Sequence, residues 1–173
     1  MKWVTTALAL LLVANPLVAW DKKPPRIEVY FSPGGGCTEA VVEALRQAKD
    51  TIYVQAYSFT SAPIARALVE ARNRRVKVQV ILDSSQAGEK YSSADFLAHN
   101  RIACYIDHNH AIAHNKVMIL DGTTVITGSF NFTKAAEEQN AENLLVIQDV
   151  ALASKYARNW ETHLKHSSRY RGR

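Results

Sequence analysis

The sequence predicts an α/β fold, a mixed, largely parallel β-sheet sandwiched between helices. Three observations lead there. A nearly continuous apolar run at 51–59 reads as a strand covered on both faces. An amphipathic stretch at 61–73 and an alternating strand at 76–82 follow it, the spacing of a βαβ crossover with parallel strands. Farther on, β-rich runs at 117–120 and 123–127 flank Asp121-Gly122, a pair suited to the positive φ angles of a tight hairpin.

Bulk properties set the frame for these elements. The chain has 173 residues, 47% hydrophobic and 21% charged, enough for one domain with a sizeable core. The formal net charge of +5 favours polyanionic partners, nucleic acid or an anionic membrane surface. Residues 1–19 read as a secretory signal peptide, with Lys2 in a positive n-region, an apolar run at 4–14 and cleavage after Ala19. An uncleaved anchor is the alternative, but the run is shorter than the ~20 residues of a spanning helix. The expectation is an exported protein, periplasmic or secreted and bacterial. A linker at 20–26, a globular domain at 27–166 and a basic tail at 167–173 follow. Cys37 and Cys104 form either one disulfide or two separately buried thiols. Neither has the spacing of a structural zinc site.

The remaining elements follow in order. A first strand at 27–31 ends in Ser32-Pro33-Gly34-Gly35-Gly36, read as a plain strand-to-helix loop in preference to a phosphate cradle. Periodic apolar positions predict a helix over 38–49. Ser61 and Pro63 mark the start of the helix at 61–73. The cluster Arg72, Arg74, Arg75 and Lys77 reads as a solvated helix end rather than a phosphate contact. A loop at 86–91, a short helix at 94–100 and a strand at 102–106 come next. In Asp107-His108-Asn109-His110, alternating His108 and His110 are candidate metal ligands, set below a phosphate-facing loop. A helix at 132–139 carries Glu137 and Glu138, read as solvated charges. A strand at 144–147 and a helix at 150–166, with Trp160 and Leu164 on its packed face, complete the chain. The tail reads either as a contact for a nucleic-acid backbone or as a frayed end.

The chemistry concentrates between 114 and 131. His114 and Lys116 are two apart, on one side of an extended segment, and the hairpin returns Gly128, Ser129 and Asn131 to their neighbourhood. This sets a nucleophile or proton carrier beside donors suited to phosphate oxygens. The spacing His114-x-Lys116-x4-Asp121-x6-Gly128-Ser129-x-Asn131 resembles the motif of the phospholipase D superfamily at every fixed position. The chain is similar to that family's small bacterial endonucleases, which carry the motif once, over about 27–160.

The resemblance implies a metal-independent phosphodiesterase without cofactor, here a non-specific endonuclease acting on DNA or RNA. His114 would form a phosphohistidine, and Lys116, Ser129 and Asn131 would hold the non-bridging oxygens. Glu142 matches an acidic residue that hydrogen-bonds the histidine, while Asp121 and Gly128 support the motif. The scheme needs a second histidine as acid, and the chain has one motif. Two copies must therefore share a site across a twofold axis. The expected partners are a nucleic-acid substrate and a second copy of the chain, with no stable membrane insertion after signal cleavage. The alternatives are a phospholipase D-type lipid phosphodiesterase and a non-catalytic DNA-binding protein.

Overall fold

The computed structural model describes residues 24–173; the expected signal peptide and the start of the linker lie outside the described residues. Along the chain run β1 (Arg26–Ser32), α1 (Cys37–Gln47), β2 (Thr51–Ala56), α2 (Ala62–Asn73) and β3 (Lys77–Asp83). A single 3-10 turn (Ser84–Ala87) leads to α3 (Ala94–His99) and β4 (Ala103–Asp107). Then come β5 (Lys116–Leu120), β6 (Thr124–Gly128), α4 (Lys134–Glu138), β7 (Glu142–Gln148), α5 (Val150–His166) and β8 (Ser168–Tyr170).

Among the described residues, eight strands form one sheet in the order β1-β7-β6-β5-β2-β3-β4-β8. It is mixed, but among the named strands only β2–β3 and β3–β4 pair in parallel, where the sequence predicts a largely parallel sheet. The reason lies in the connections. Short turns join β5 to β6, and a short helical link joins β6 to β7, so each pair runs antiparallel. The central β2 is the junction, parallel to β3 on one side and antiparallel to β5 on the other.

Alternation along the strands sends side chains to two cores. On one face, Ile52, Val54, Val80, Leu82, Met118 and Ile126 pack under α1 and α2, which contribute Val41, Leu45, Ile64 and Leu68. On the other, Ile81, Val117, Ile119 and Val125 meet Ala153 and Trp160 of α5. Trp160 anchors that helix, since its ring stacks on Tyr53 at 4.6 Å and its Nε1–H donates to the Val54 carbonyl at 2.9 Å. An indole buried to this degree satisfies its one donor, as burial requires.

Three local expectations change. The tail is not a frayed end: β8 pairs antiparallel with β4, and the Tyr170 hydroxyl and Arg173 guanidinium both bind the Asp95 carboxylate. Glu137 is no solvated charge. Its carboxylate accepts the Thr38 N–H at 2.6 Å, capping the first turn of α1 where a phosphate-binding loop would leave that donor free. Arg74 turns inward and donates to the carbonyls of Leu45 and Ala48, closing the C-terminal end of α1. Cys37 and Cys104 are free and buried, and burial pushes their thiols up to about 11 and about 12. The two-thiol alternative therefore holds.

Asp121 shows why the hairpin is placed so firmly. Asp121 and Gly122 both have positive φ, 51° and 62°, as a type I′ turn needs. The Asp121 carboxylate accepts the backbone N–H groups of Lys49, Asp50 and Thr51 at 2.8–2.9 Å, tying the turn to the start of β2. Burial pushes its carboxyl up, but the three N–H donors outweigh burial and hold it below its ordinary value. Asp121→Ala should therefore lower stability by about 1–3 kcal/mol, read as a Tm fall of several degrees. The native value lies below the unfolded one, so this contribution is present above pH ~4 and lost as acid titrates the folded carboxylate. Denaturant midpoints for wild type and variant should converge as pH falls below that range.

Candidate active site

The site forms at one end of the sheet's central strands, where β2 ends and β5 begins. The Ala56↔Lys116 pair sets the start of β5, and the Tyr57 N–H donates to the Asn115 carbonyl at 2.8 Å. His114 thus lies in the loop just before β5 rather than on the strand itself. Its side chain is exposed, as a nucleophile must be. That loop is braced from behind: the Asp83 carboxylate, at the end of β3, accepts the Ala113 N–H at 2.8 Å.

Lys116 points back toward His114. It is 7% exposed, its Nζ donates to the His114 carbonyl at 2.9 Å, and it lies 5.3 Å from the Tyr57 ring centroid. The Tyr57 ring in turn sits 4.6 Å from the His114 imidazole, tilted by 53°. Tyr57 therefore gives the histidine and the ammonium one shared wall. Burial lowers the Lys116 pKa, and the nearby Glu142 carboxylate partly opposes this. An ammonium this poorly hydrated gains strongly from an incoming anion.

The second arm arrives through register. Val117 pairs with Thr127, so β6 returns Gly128 and the residues after it alongside Lys116 and His114. Gly128 has φ +153°, and a Cβ there would lie 2.2 Å from the Asn143 carbonyl oxygen. That oxygen accepts the N–H groups of both Ser129 and Phe130, pinning the turn that displays Ser129 and Asn131. The Ser129 hydroxyl oxygen accepts the Asn143 N–H at 3.0 Å, leaving its proton to donate elsewhere. Asn131 is half-buried, and its side-chain oxygen has no hydrogen-bond partner among the described residues. Such buried orphans are rare and concentrate where function holds them.

Glu142 takes a different place from the one the resemblance implies. Its carboxylate accepts the Asn140 side-chain amide at 3.1 Å, and its field acts on Lys116. The hydrogen bond expected from His114 is absent among the described residues. His114, Lys116, Ser129, Asn131 and Glu142 thus converge on this end, with Gly128 beneath them. Asp121 is at the opposite end of β5. Lys77 begins β3, at the other end of the sheet, so the cluster that includes Arg72, Arg74 and Arg75 is set apart from the site. Among the described residues His108 joins no ligand group, whereas His110 lies against Asp107. Sequence reasoning missed Tyr57, which the apolar run at 51–59 placed inside a strand; the structure ends β2 at Ala56 and turns Tyr57 toward the site.

Known proteins share this frame. Residues 41–164 match the family described as cardiolipin synthase, PLD-like domain. A phospholipase D of Rickettsia conorii is 44% identical over 135 residues, 78% of this chain and 68% of that protein. Among solved structures, the phospholipase D family member Nuc from Salmonella typhimurium superposes with a TM-score of 0.83 at 38% identity. The match covers 86% of this chain and 100% of that one. NucT from Helicobacter pylori has a TM-score of 0.79 at 24% identity, covering 85% of this chain and 100% of that one, and supports the fold. With the motif residues gathered at one end of the same fold, the chain belongs to the phospholipase D superfamily of phosphodiesterases.

Proposed function

We propose that the protein is an endonuclease that hydrolyses DNA, with RNA as a second polymer to test, through a phosphohistidine and without a catalytic metal. The observation that carries nucleic acid over lipid is the groove beside Asn131. The Thr60 and Ser61 N–H groups bind the Phe132 carbonyl, so the segment after β2 runs alongside the Asn131 arm. There Thr60, Arg66, Tyr91 and Phe96 line an open groove, and Lys90 lies 5.4 Å from the Tyr91 ring centroid. Exposed rings interleaved with cations suit stacked bases and a phosphate backbone. The likeness to Nuc agrees with this reading.

The chemistry follows from this site. A neutral His114 nitrogen attacks phosphorus and forms the N–P bond as the P–O bond to the leaving alkoxide breaks. A second, protonated histidine gives that alkoxide its proton. Water then attacks the phosphohistidine, yielding the phosphomonoester and free His114. Lys116, Asn131 and Ser129 hold the non-bridging oxygens as negative charge builds. Glu142 keeps Lys116 charged despite its burial.

The second histidine comes from a second copy of the chain. On the α5 side of the sheet, Ile27, Val29 and Phe31 are 52–62% exposed, beside the half-buried Leu145 and Ile147 of β7. This strip runs along an edge strand toward Ser32 and Glu142, at the catalytic end. An apolar edge strand leading into an incomplete site is the surface a twofold partner covers.

Three measurements test the reading. Cleavage of plasmid DNA should persist in excess EDTA at a temperature well below the Tm of the chelated protein; loss restored by a divalent ion would overturn the metal-independent route. Faster turnover of phosphatidylcholine than of DNA would favour the lipid reading, to which the Rickettsia relatives named phospholipase D point. For the shared site, equal amounts of wild-type and His114→Ala chains should be allowed to exchange subunits. Activity should fall to about a quarter of that of the same total wild-type chain, whereas independent protomers would retain about half.

A further inference from the structure

Away from the motif, at the end of β4, four side chains converge that the phosphodiester chemistry does not use. Asp107 is fully buried, and a single oxygen of its carboxylate, Oδ2, faces three imidazoles. It lies 3.1 Å from His110 Nδ1, 2.8 Å from His163 Nδ1 and 3.2 Å from His166 Nε2. The four ligand atoms are all within 4.8 Å of one another. From this geometry we propose that Asp107, His110, His163 and His166 form a binding site for a zinc-class divalent transition ion.

Three features support an ion over a histidine–carboxylate network. The first is shape. Zinc bonds of about 2.0–2.1 Å to nitrogen and oxygen put tetrahedral ligand atoms ~3.3 Å apart. The Asp107-to-histidine distances of 2.8–3.2 Å are close to that, and all four ligand atoms lie within 4.8 Å of one another. The second is the donor set. The three imidazole rings lie 4.8–5.2 Å from one another around one carboxylate, so three nitrogens and an oxygen of the kinds zinc takes face a common point. The third is support. The other Asp107 oxygen, Oδ1, accepts the Asn109 N–H at 2.9 Å and also lies 3.2 Å from His110 Nδ1, which orients the carboxylate with Oδ2 toward all three rings. Three imidazoles and one carboxylate suit zinc, cobalt or nickel better than the all-oxygen preference of calcium or magnesium.

The ligands come from three places: the end of β4, the loop that continues to His114, and the last turn of α5. A bound ion clamps these together. It therefore steadies the segment bearing the nucleophile without touching the phosphate, and the inference stands whichever phosphodiester the active site takes.

The test uses full-length protein without a polyhistidine tag, stripped by chelator and dialysed. Zinc should bind at one ion per chain. It should raise Tm by about 5 °C or more at a hundredfold excess over Kd. Cobalt should give the strong visible absorption of a four-coordinate site. His110→Ala and His166→Ala, at partly exposed positions that tolerate truncation, should each weaken zinc at least tenfold, while His108→Ala binds like wild type. Absence of zinc binding at tens of micromolar would overturn the site. So would affinity unchanged within threefold in the His110→Ala/His166→Ala double variant, or equal weakening by His108→Ala. Because the readouts are stoichiometry, Tm and a cobalt spectrum, failure here leaves the nuclease assays unaffected.

Discussion

Replacing His114 with alanine should reduce phosphodiester turnover by at least about 10⁴-fold, the scale on which removing a covalent nucleophile acts. The fold should survive, because the side chain is exposed and its loop is held through the Ala113 N–H on Asp83. Lys116→Ala should cost about 10²–10³-fold through lost stabilisation of the phosphate oxygens. It also empties a buried position against Tyr57, so its Tm should fall where that of His114→Ala stays within a degree or two. Steady-state kinetics on DNA, paired with thermal denaturation of each variant, read both quantities. A His114→Ala protein retaining a tenth of wild-type activity would remove the phosphohistidine from the mechanism.

Gly128→Ala should be a severely damaging single-methyl change at the active site. The new Cβ would sit 2.2 Å from the Asn143 carbonyl oxygen and 3.0 Å from its carbon, at φ +153°. The neighbour is backbone, and that oxygen already accepts two N–H groups, so the clash cannot be relieved by a rotamer. Either the β6–β7 junction opens or the Ser129–Asn131 arm shifts. A loss of about 3 kcal/mol or more follows, which for a chain of this length is about 10 °C in Tm. Activity should fall even where the variant is fully folded, because Ser129, Asn131 and Glu142 all hang on this junction. A Tm within 2 °C of wild type would show that the backbone accommodates the methyl.

The catalytic arms were legible because their spacing is local: His114 to Asn131 is one strand–turn–strand unit, and Asp121-Gly122 announces its turn. Apolar periodicity likewise marked α2 and α5, the latter at its observed bounds, Val150–His166. What escaped depends on distant partners. Glu137 caps a helix 99 residues earlier, and Asp107 meets His163 and His166 across 56 and 59 residues. Tyr57 reaches His114 only because β2 and β5 pair. β8 is three residues long, too short for any pattern, and is made a strand by the free edge of β4. Proximity in sequence also misled: His108 and His110 alternate, yet only His110 turns toward Asp107.

The strand order also dictates a sequence of assembly. β2 and β3 close over one crossover helix, and β5 and β6 over a tight turn, so these units can form early. Among the described residues β1 pairs only with β7, from Ser32 opposite Glu142 to Arg26 opposite Gln148, with the Ser32 hydroxyl reaching the Asn140 carbonyl 108 residues away. Trp160 reaches back 106 residues to Val54. Such closures carry a large chain-entropy cost and come late. In the native state the same hierarchy runs in reverse: β1, an edge strand, detaches at less cost than the central strands, and its amides should exchange with solvent before those of β2 and β5. The frame of His114 and Lys116 and the edge beside Glu142 therefore belong to different cooperative units, and transient opening of the outer edge leaves the nucleophile in place.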